Sequence, residues 1–239
     1  MRREVAQKIV EENRRVYNRI AVKFSHTRKH PWDDFTLFDR YINKGDRVLD
    51  IGCGNGRLAG YLGGRHVWYA GVDASEQLIA IARTEHPDGE FAIADATTLP
   101  FSGAQFNAVF CIATLHHIPS TELRQRVIAE AYRVLKPGGR LIMTEWNLWG
   151  RQWWKLLAAH SVKKIAGSSG LDWGDVMKPW KNERGETVGQ RYLHPFTRGE
   201  LTRLLRRSGF DSVRSWYTKR GAAVSWYTGY NIVTIAKKP

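Results

Sequence analysis

A chain of 239 residues, 43% of them hydrophobic, can bury one substantial core, which suits a single catalytic domain carrying an insertion. It holds no apolar run long enough for a membrane span, and its opening MRREVAQKIVEENRR is charged where a secretory signal would be apolar. A soluble, cytoplasmic protein with no membrane partner is expected, and two cysteines without ligand spacing, Cys53 and Cys111, argue against a disulfide framework or a metal centre. The net charge of +14 is unevenly divided. Residues 1–44 hold 11 Lys and Arg against 6 Asp and Glu, residues 45–150 hold 9 against 11, and residues 151–239 hold 17 against 6. Basic flanks around a neutral centre favour a polyanionic partner over a merely solvated surface.

In chain order, 4–24 reads as an amphipathic helix, 24–32 as a polar connector and Asp33 to Tyr41 as a short second helix. Strands and helices then alternate: strand 47–51, helix 57–62, strand 67–72, helix 76–85, strands 90–94 and 106–112, helix 121–135, strand 140–146. That alternation predicts an α/β fold, a doubly wound, mostly parallel, Rossmann-like sheet of seven strands behind N-terminal helices. The stretch 151–190 breaks the pattern with a helix over 151–165 and a Gly, Ser and Trp-rich excursion, read as a lid insertion. Helix 197–208 and strands 211–218 and 225–236 complete the chain, the two SWYT tetrapeptides (215–218 and 225–228) being read as paired strands. Four parts of one domain follow: a basic cap (1–44), a cofactor-binding core (45–150), the insertion (151–190) and the closing elements (191–239).

The most informative residues are VLDIGCGNG (48–56). Val48, Leu49 and Ile51 suit a buried parallel strand, and Gly52, Gly54 and Gly56 leave the following turn without Cβ atoms, so a ligand can lie against its backbone. Arg57 to Leu62 reads as a helix whose free N–H groups face the same place. Gly54-Asn55-Gly56-Arg57-Leu58-Ala59 also fits the dinucleotide pattern, which would allow a dehydrogenase, with Asp73 as the ribose acid. Asp50 inside the strand opposes that alternative, because a pyrophosphate has no use for a carboxylate whereas a cationic ligand does.

These residues resemble the first motif of the class I S-adenosylmethionine-dependent methyltransferases. Their second acid is matched in YAGVDAS (69–75), their adenine-side motif in AIADATTLPF (92–101), and the approach to their fifth strand in RVLKPGGRLIM (133–143). The resemblance implies S-adenosylmethionine as cofactor, held by Asp50, Gly52, Gly54, Gly56, Asp73, Ala74, Asp95, Ala96 and Ile112, with Tyr17 and Arg28 added from the N-terminal helix and connector. Asp73 at a strand end could alternatively cap the next helix, although Ser75 is better placed to do so.

The acceptor side rests on IATLHHIPSTELR (112–124), at the end of the fourth strand, where His116 and His117 are candidates for the reaction chamber. Together with FSHTRKHPW (24–32), KPW (178–180) and QRYLHPFTRGELTRLLRRSGF (190–210), this stretch resembles the tRNA wobble-uridine carboxymethyl methyltransferases over nearly the whole chain. The resemblance implies methyl transfer to the carboxylate of 5-carboxymethyluridine in a tRNA anticodon, and a small activator subunit as a partner. A carboxylate is ionised at neutral pH and needs orientation by donors in place of a general base. Arg28, His116, Trp146, Arg191, Tyr192 and His194 are the candidates for orienting it, and Arg203, Arg206 and Arg207 for holding the RNA backbone. A small-molecule methyltransferase, or a non-catalytic RNA-binding protein with this fold, are the alternatives. The first would leave the basic flanks unexplained, and the second the intact cofactor motifs.

Overall fold

The computed structural model describes residues 1–165 and 170–239. Eight strands form one sheet in the order β3-β2-β1-β4-β5-β10-β8-β9. Its parallel half consists of β1 (Arg47–Ile51), β2 (Trp68–Asp73), β3 (Glu90–Ile93), β4 (Phe106–Ile112) and β5 (Leu135–Trp146). β10 (Asn231–Lys237) runs antiparallel between β5 and β8 (Asp211–Lys219), and β9 (Ala222–Val224) pairs with the end of β8. The sheet therefore has one strand more than the sequence pattern predicts, because β9 forms a short hairpin beside β8.

Alternation along each strand divides the core between the two faces of this sheet. Leu49, Ile51, Val109, Cys111, Leu141, Met143 and Ile232 pack on one face against Val127, Ile128 and Ala131 of α4 (Thr121–Val134) and Leu201, Leu204 and Leu205 of α6 (Arg198–Arg207). Val48, Ala108, Phe110, Ile142, Val233 and Ile235 pack on the other face against α2 (Arg57–Leu62), α3 (Glu76–Glu85) and the 3-10 helix Asp33–Tyr41. A sheet covered on both faces explains the unbroken apolar runs that flag these strands in the sequence. Its order reverses between β1 and β4, so the carboxyl ends of those strands splay into the crevice where open α/β sheets hold ligands.

Two segments depart from the sequence-based expectation. The second SWYT is no strand: residues 225–230 form a turn held by Asn147, whose side-chain Nδ2 donates to the carbonyls of Trp226 at 2.6 Å and Gly229 at 2.9 Å. Over 151–190, α5 (Trp154–Ile165) is as expected, but the supposed excursion contains a second sheet, the hairpin of β6 (Val176–Lys181) and β7 (Thr187–Leu193); the part of it at 166–169 lies outside the described residues. β7 packs against α1 (Arg3–His26). Gly189 lets α1 come that close, since a Cβ there would stand 2.5 Å from Val16. Among the described residues no helix is long and apolar enough to cross a membrane.

Candidate active site

A cleft of about 920 Å³ opens at the carboxyl ends of β1, β2, β3 and β4 and is roofed by α1. Of the residues singled out in the sequence, Asp50, Gly52, Gly54, Asp73, Ala74, Asp95, Ala96, Ile112, Tyr17, Arg28 and Trp146 line it. Gly56 does not. It has φ +79°, and a Cβ there would meet His86 at 2.6 Å, so this glycine serves helix packing. Gly52 is also constrained from within, because a Cβ would lie 2.2 Å from Oγ1 of Thr114. Only at Gly54 is a Cβ position open towards the cleft, with no neighbour closer than Phe24 at 3.5 Å.

Asp73 orders this loop as well as facing it. Its Oδ2 accepts the Gly54 N–H at 2.9 Å and its Oδ1 the Ser75 N–H at 2.8 Å, while the Ser75 hydroxyl caps α3 through the Leu78 N–H. The helix-cap alternative for Asp73 therefore falls to Ser75. Asp95 does start a turn, its Oδ1 accepting from the N–H and hydroxyl of Thr97, both at 2.8 Å, yet it remains exposed on the cleft wall. Asp50 is buried, accepts the Tyr69 hydroxyl at 2.9 Å through Oδ2 and leaves Oδ1 without a partner. Burial, above all, pushes its carboxyl up to about 7. Arg57, which the sequence analysis placed only in a helix start, joins the cleft; its guanidinium lies 4.8 Å from the Trp32 ring centroid, and burial lowers it to about 10.

These features suit S-adenosylmethionine. The orphaned oxygen of buried Asp50 is a counter-charge for a cation, and Arg57 and Arg28 suit its carboxylate. With the cofactor bound, Asp73 would meet the ribose hydroxyls beside Gly54, and Asp95 with Ala96 would border the adenine.

At the far end of the cleft, Tyr17, His117 and Trp146 form the wall, and a tightly bonded layer extends behind it. The Tyr17 hydroxyl donates to Nε2 of His117 at 2.9 Å, and His117 Nδ1 donates to the Tyr192 carbonyl at 2.9 Å. That fixes a neutral His117, which burial pushes well below the usual histidine range. His116 is fully enclosed and does not reach the cleft. Its Nδ1 and its backbone N–H both meet Oε2 of Glu145, and burial lowers the imidazole to about 3 while raising the carboxyl well above its normal range. Burial disfavours charge on both partners, and His116, enclosed and engaged by Glu145, does not face an acceptor; its ring lies against Trp146, centroids 5.0 Å apart.

Tyr192 and His194 are likewise removed from the acceptor. Tyr192 is buried and its hydroxyl accepts from Arg124 Nη1 at 3.3 Å, while His194 is held by Asp175 at 2.6 Å and Glu200 at 2.9 Å. Both brace β7 against the core. Arg191, on β7 just before them, is different. It is 3% exposed and, among the described residues, pairs with no carboxylate and leaves Nε and Nη1 without partners. Its guanidinium lies 4.5 Å from the Trp180 centroid and 5.7 Å from that of Trp146, just behind the cleft wall. Lys178, its register partner across β6–β7, is lowered to about 8 by burial and then by Arg191 and Arg28. Arg28, on the wall itself, lies 3.9 Å over Phe24 and 5.6 Å from Trp180. Three cations and three aromatic rings thus meet where the cleft ends. Lys178 and Trp180 belong to the KPW tripeptide, whose residue types give no hint of a site until the hairpin brings them to Arg191.

A cofactor cleft at the switch point of a sheet whose last inserted strand is antiparallel defines a class I S-adenosylmethionine-dependent methyltransferase. Residues 49–143 match the methyltransferase-domain family. The chain is 32% identical over 197 residues to a methyltransferase-like protein of Encephalitozoon cuniculi, covering 82% of this chain and 85% of that one. It is 36% identical over 145 residues to the tRNA (carboxymethyluridine(34)-5-O)-methyltransferase of Saccharomyces cerevisiae, 61% of this chain and 51% of that one. A solved S-adenosylmethionine-dependent methyltransferase of Methanosarcina mazei superposes with TM-score 0.67 at 27% identity, covering 84% and 96% of the two chains. The chain belongs to the class I S-adenosylmethionine-dependent methyltransferases. Its matches span 21% to 51% of the length of the first curated relatives.

Proposed function

We propose that the chain methylates the carboxylate of a 5-carboxymethyluridine at the wobble position of a tRNA. The observation that carries this is the uncompensated cation cluster of Arg28, Lys178 and Arg191 at the end of the cofactor cleft. Arg191 is buried and the other two half-buried; positive charge withdrawn from water with no carboxylate among the described residues beside it is costly, and a site that retains it is suited to an anionic ligand. Arg28 on the wall is placed to meet the carboxylate directly, with Arg191 and Lys178 adding positive potential from behind it. Trp146 gives the base a flat apolar face.

Bound cofactor supplies an electrophilic methyl group on a sulfonium. The chain's residues hold the acceptor oxygen in line with that carbon and exclude water; no proton has to be removed from an acceptor that is already ionised. Charge is consumed as a carboxylate becomes a neutral ester, so the cations also orient the acceptor before transfer. The basic flanks and the relatives named for tRNA support RNA as the carrier of the carboxylate.

The test is nucleoside mass spectrometry on tRNA bearing 5-carboxymethyluridine after incubation with isotope-labelled S-adenosylmethionine. A labelled methyl ester that mild alkali releases as methanol is expected. An alkali-stable methyl group, or labelling only of free small acids, would overturn the proposal.

A further inference from the structure

On the α6 face of the sheet, away from the cofactor cleft, a second hollow of about 550 Å³ lies between the first turn of α6 and the outer strand β8. Its walls are Arg198 and Thr202 from α6, Val213, Ser215 and Tyr217 from β8, and Trp226 from the 225–230 turn. We propose that this hollow binds a nucleotide of a single-stranded RNA segment, its base against Trp226 and Tyr217 and its phosphate at Arg198. The proposal rests on tRNA being the substrate and adds a second contact point to it, outside the acceptor chamber.

Three observations support an RNA occupant. The hollow is aromatic in the manner of a stacking platform: Trp226 is 57% exposed, Tyr227 and Tyr230 beside it are exposed too, and such rings are otherwise expensive to leave in water. The surroundings are strongly cationic. Arg198 lines the hollow, Arg203, Arg206 and Arg207 follow on α6, and Lys219 and Arg220 stand at the end of β8, whereas Arg214, opposite Ile235, faces the other side of the sheet; the acids nearby are Glu200, Asp211 and Asp34, the last held by Thr218 and Gly221. Glu200 is engaged by His194, and Asp211 sits opposite Lys237 at the distant end of β8. Arg198 also lies 5.7 Å from the centroid of Tyr217, so cation and ring already share one wall.

Position is the third observation. The Trp226 carbonyl is bonded to the side chain of Asn147, the residue after Trp146, and Trp146 forms the wall of the cofactor cleft. The hollow and the acceptor chamber are therefore joined through two consecutive residues at the same edge of the sheet. A strand of RNA that sends one base into the chamber can lay a neighbouring nucleotide across Trp226. The arginines of α6 continue the track, with Leu201, Leu204 and Leu205 buried and Arg203, Arg206 and Arg207 exposed.

The experiment measures anisotropy of a fluorescein-labelled anticodon stem-loop RNA over a salt series, with the wild type, Trp226→Ala, Trp226→Phe and Arg198→Ala. Stacking is insensitive to salt and charge neutralisation is not. Trp226→Ala should weaken binding about tenfold at every salt concentration, and Trp226→Phe should recover most of the loss. Arg198→Ala should reduce the slope of log K against log salt by about one. Ultraviolet cross-linking followed by peptide mass spectrometry should place a nucleotide on Trp226 or Tyr217, and unchanged cofactor affinity shows that the variants are folded. RNA affinity indifferent to Trp226→Ala, with cross-links elsewhere, would overturn the subsite even if the methyl ester forms. Failure of the ester with Trp226-dependent RNA binding intact would overturn only the acceptor, and a wild type that binds no RNA would overturn both.

Discussion

Lys178 and Arg191 occupy directly opposed positions across the β6–β7 hairpin, two cations in register with no carboxylate among the described residues paired to either. Like charges so placed repel and cost a few tenths to about 1 kcal/mol in a sheet. Arg191→Met should therefore leave thermal stability unchanged or raise it slightly, while weakening a carboxylate acceptor by at least about tenfold through loss of the field. Differential scanning calorimetry and acceptor titration check the two halves separately. A variant that unfolds would instead make Arg191 a structural brace like its neighbours.

Lys178 also fixes a pH dependence. Its ammonium is lowered to about 8 by burial and the two arginines, so it loses its proton as pH rises through that value. An anionic acceptor favours the charged form, hence acceptor affinity should be level below about pH 7.5 and fall above 8. Single-turnover rates at saturating acceptor should stay nearly flat from about pH 6 to 8, with no rise attributable to a general base. Lys178→Arg should remove the alkaline fall.

Asp50 predicts the opposite trend for the cofactor. Its carboxyl is raised to about 7, so in the free protein it is protonated below that pH while the unfolded chain is already ionised above about 4. The sign follows: Asp50 costs the unliganded protein nothing below pH 4, and stability declines as pH rises to 7, by about 4 kcal/mol in total. A cationic ligand favours the ionised form, so cofactor affinity should climb from pH 5.5 to 7 and then level off. Calorimetry in buffers of different ionisation enthalpy should show proton release at pH 6, and Asp50→Asn should abolish both effects.

Gly52 and Gly54 should separate folding from binding. Both have positive φ, but a Cβ at Gly52 would overlap Thr114 whereas one at Gly54 would make only ordinary contact with Phe24 at 3.5 Å. Gly52→Ala should destabilise the protein by several kcal/mol, within the range for a strained or overpacked site. Gly54→Ala should cost about 1 kcal/mol for its backbone and chiefly weaken cofactor binding. Chemical denaturation alongside cofactor titration distinguishes them.

The parallel half of the sheet was legible because both faces are covered, so β1, β4 and β5 show as apolar runs between turn signals. The cofactor wall was legible for a related reason, since Asp50, Asp73 and Asp95 are acids at the ends of successive strands. The acceptor end was not. His116, Tyr192 and His194 carry suitable chemistry, but burial and the partners Glu145, Arg124, Asp175 and Glu200 divert it to bracing. Lys178 and Arg191 lie 13 positions apart and meet only through a hairpin hidden in a Gly and Trp-rich stretch. The second SWYT misled because its apolar rings suit a strand, whereas Asn147, nearly eighty residues earlier, bends the backbone into a turn.

The roof of the cofactor cleft has a consequence for turnover. Asn13 of α1 clasps both sides of the opening, its amide donating to the His117 carbonyl at 2.9 Å and its oxygen accepting the Tyr192 N–H at 3.1 Å. Asn18 accepts the Ser75 hydroxyl at 2.6 Å at the mouth of the ribose side. Because α1 lines the cleft, these two asparagines tie the helix to both the histidine layer and the ribose side, and loosening them should ease cofactor exchange. Asn13→Ala should speed release and raise the Kd for S-adenosylhomocysteine more than it alters the melting temperature, and stopped-flow displacement would read the rate. Amide hydrogen exchange in residues 9–20 should slow on cofactor binding.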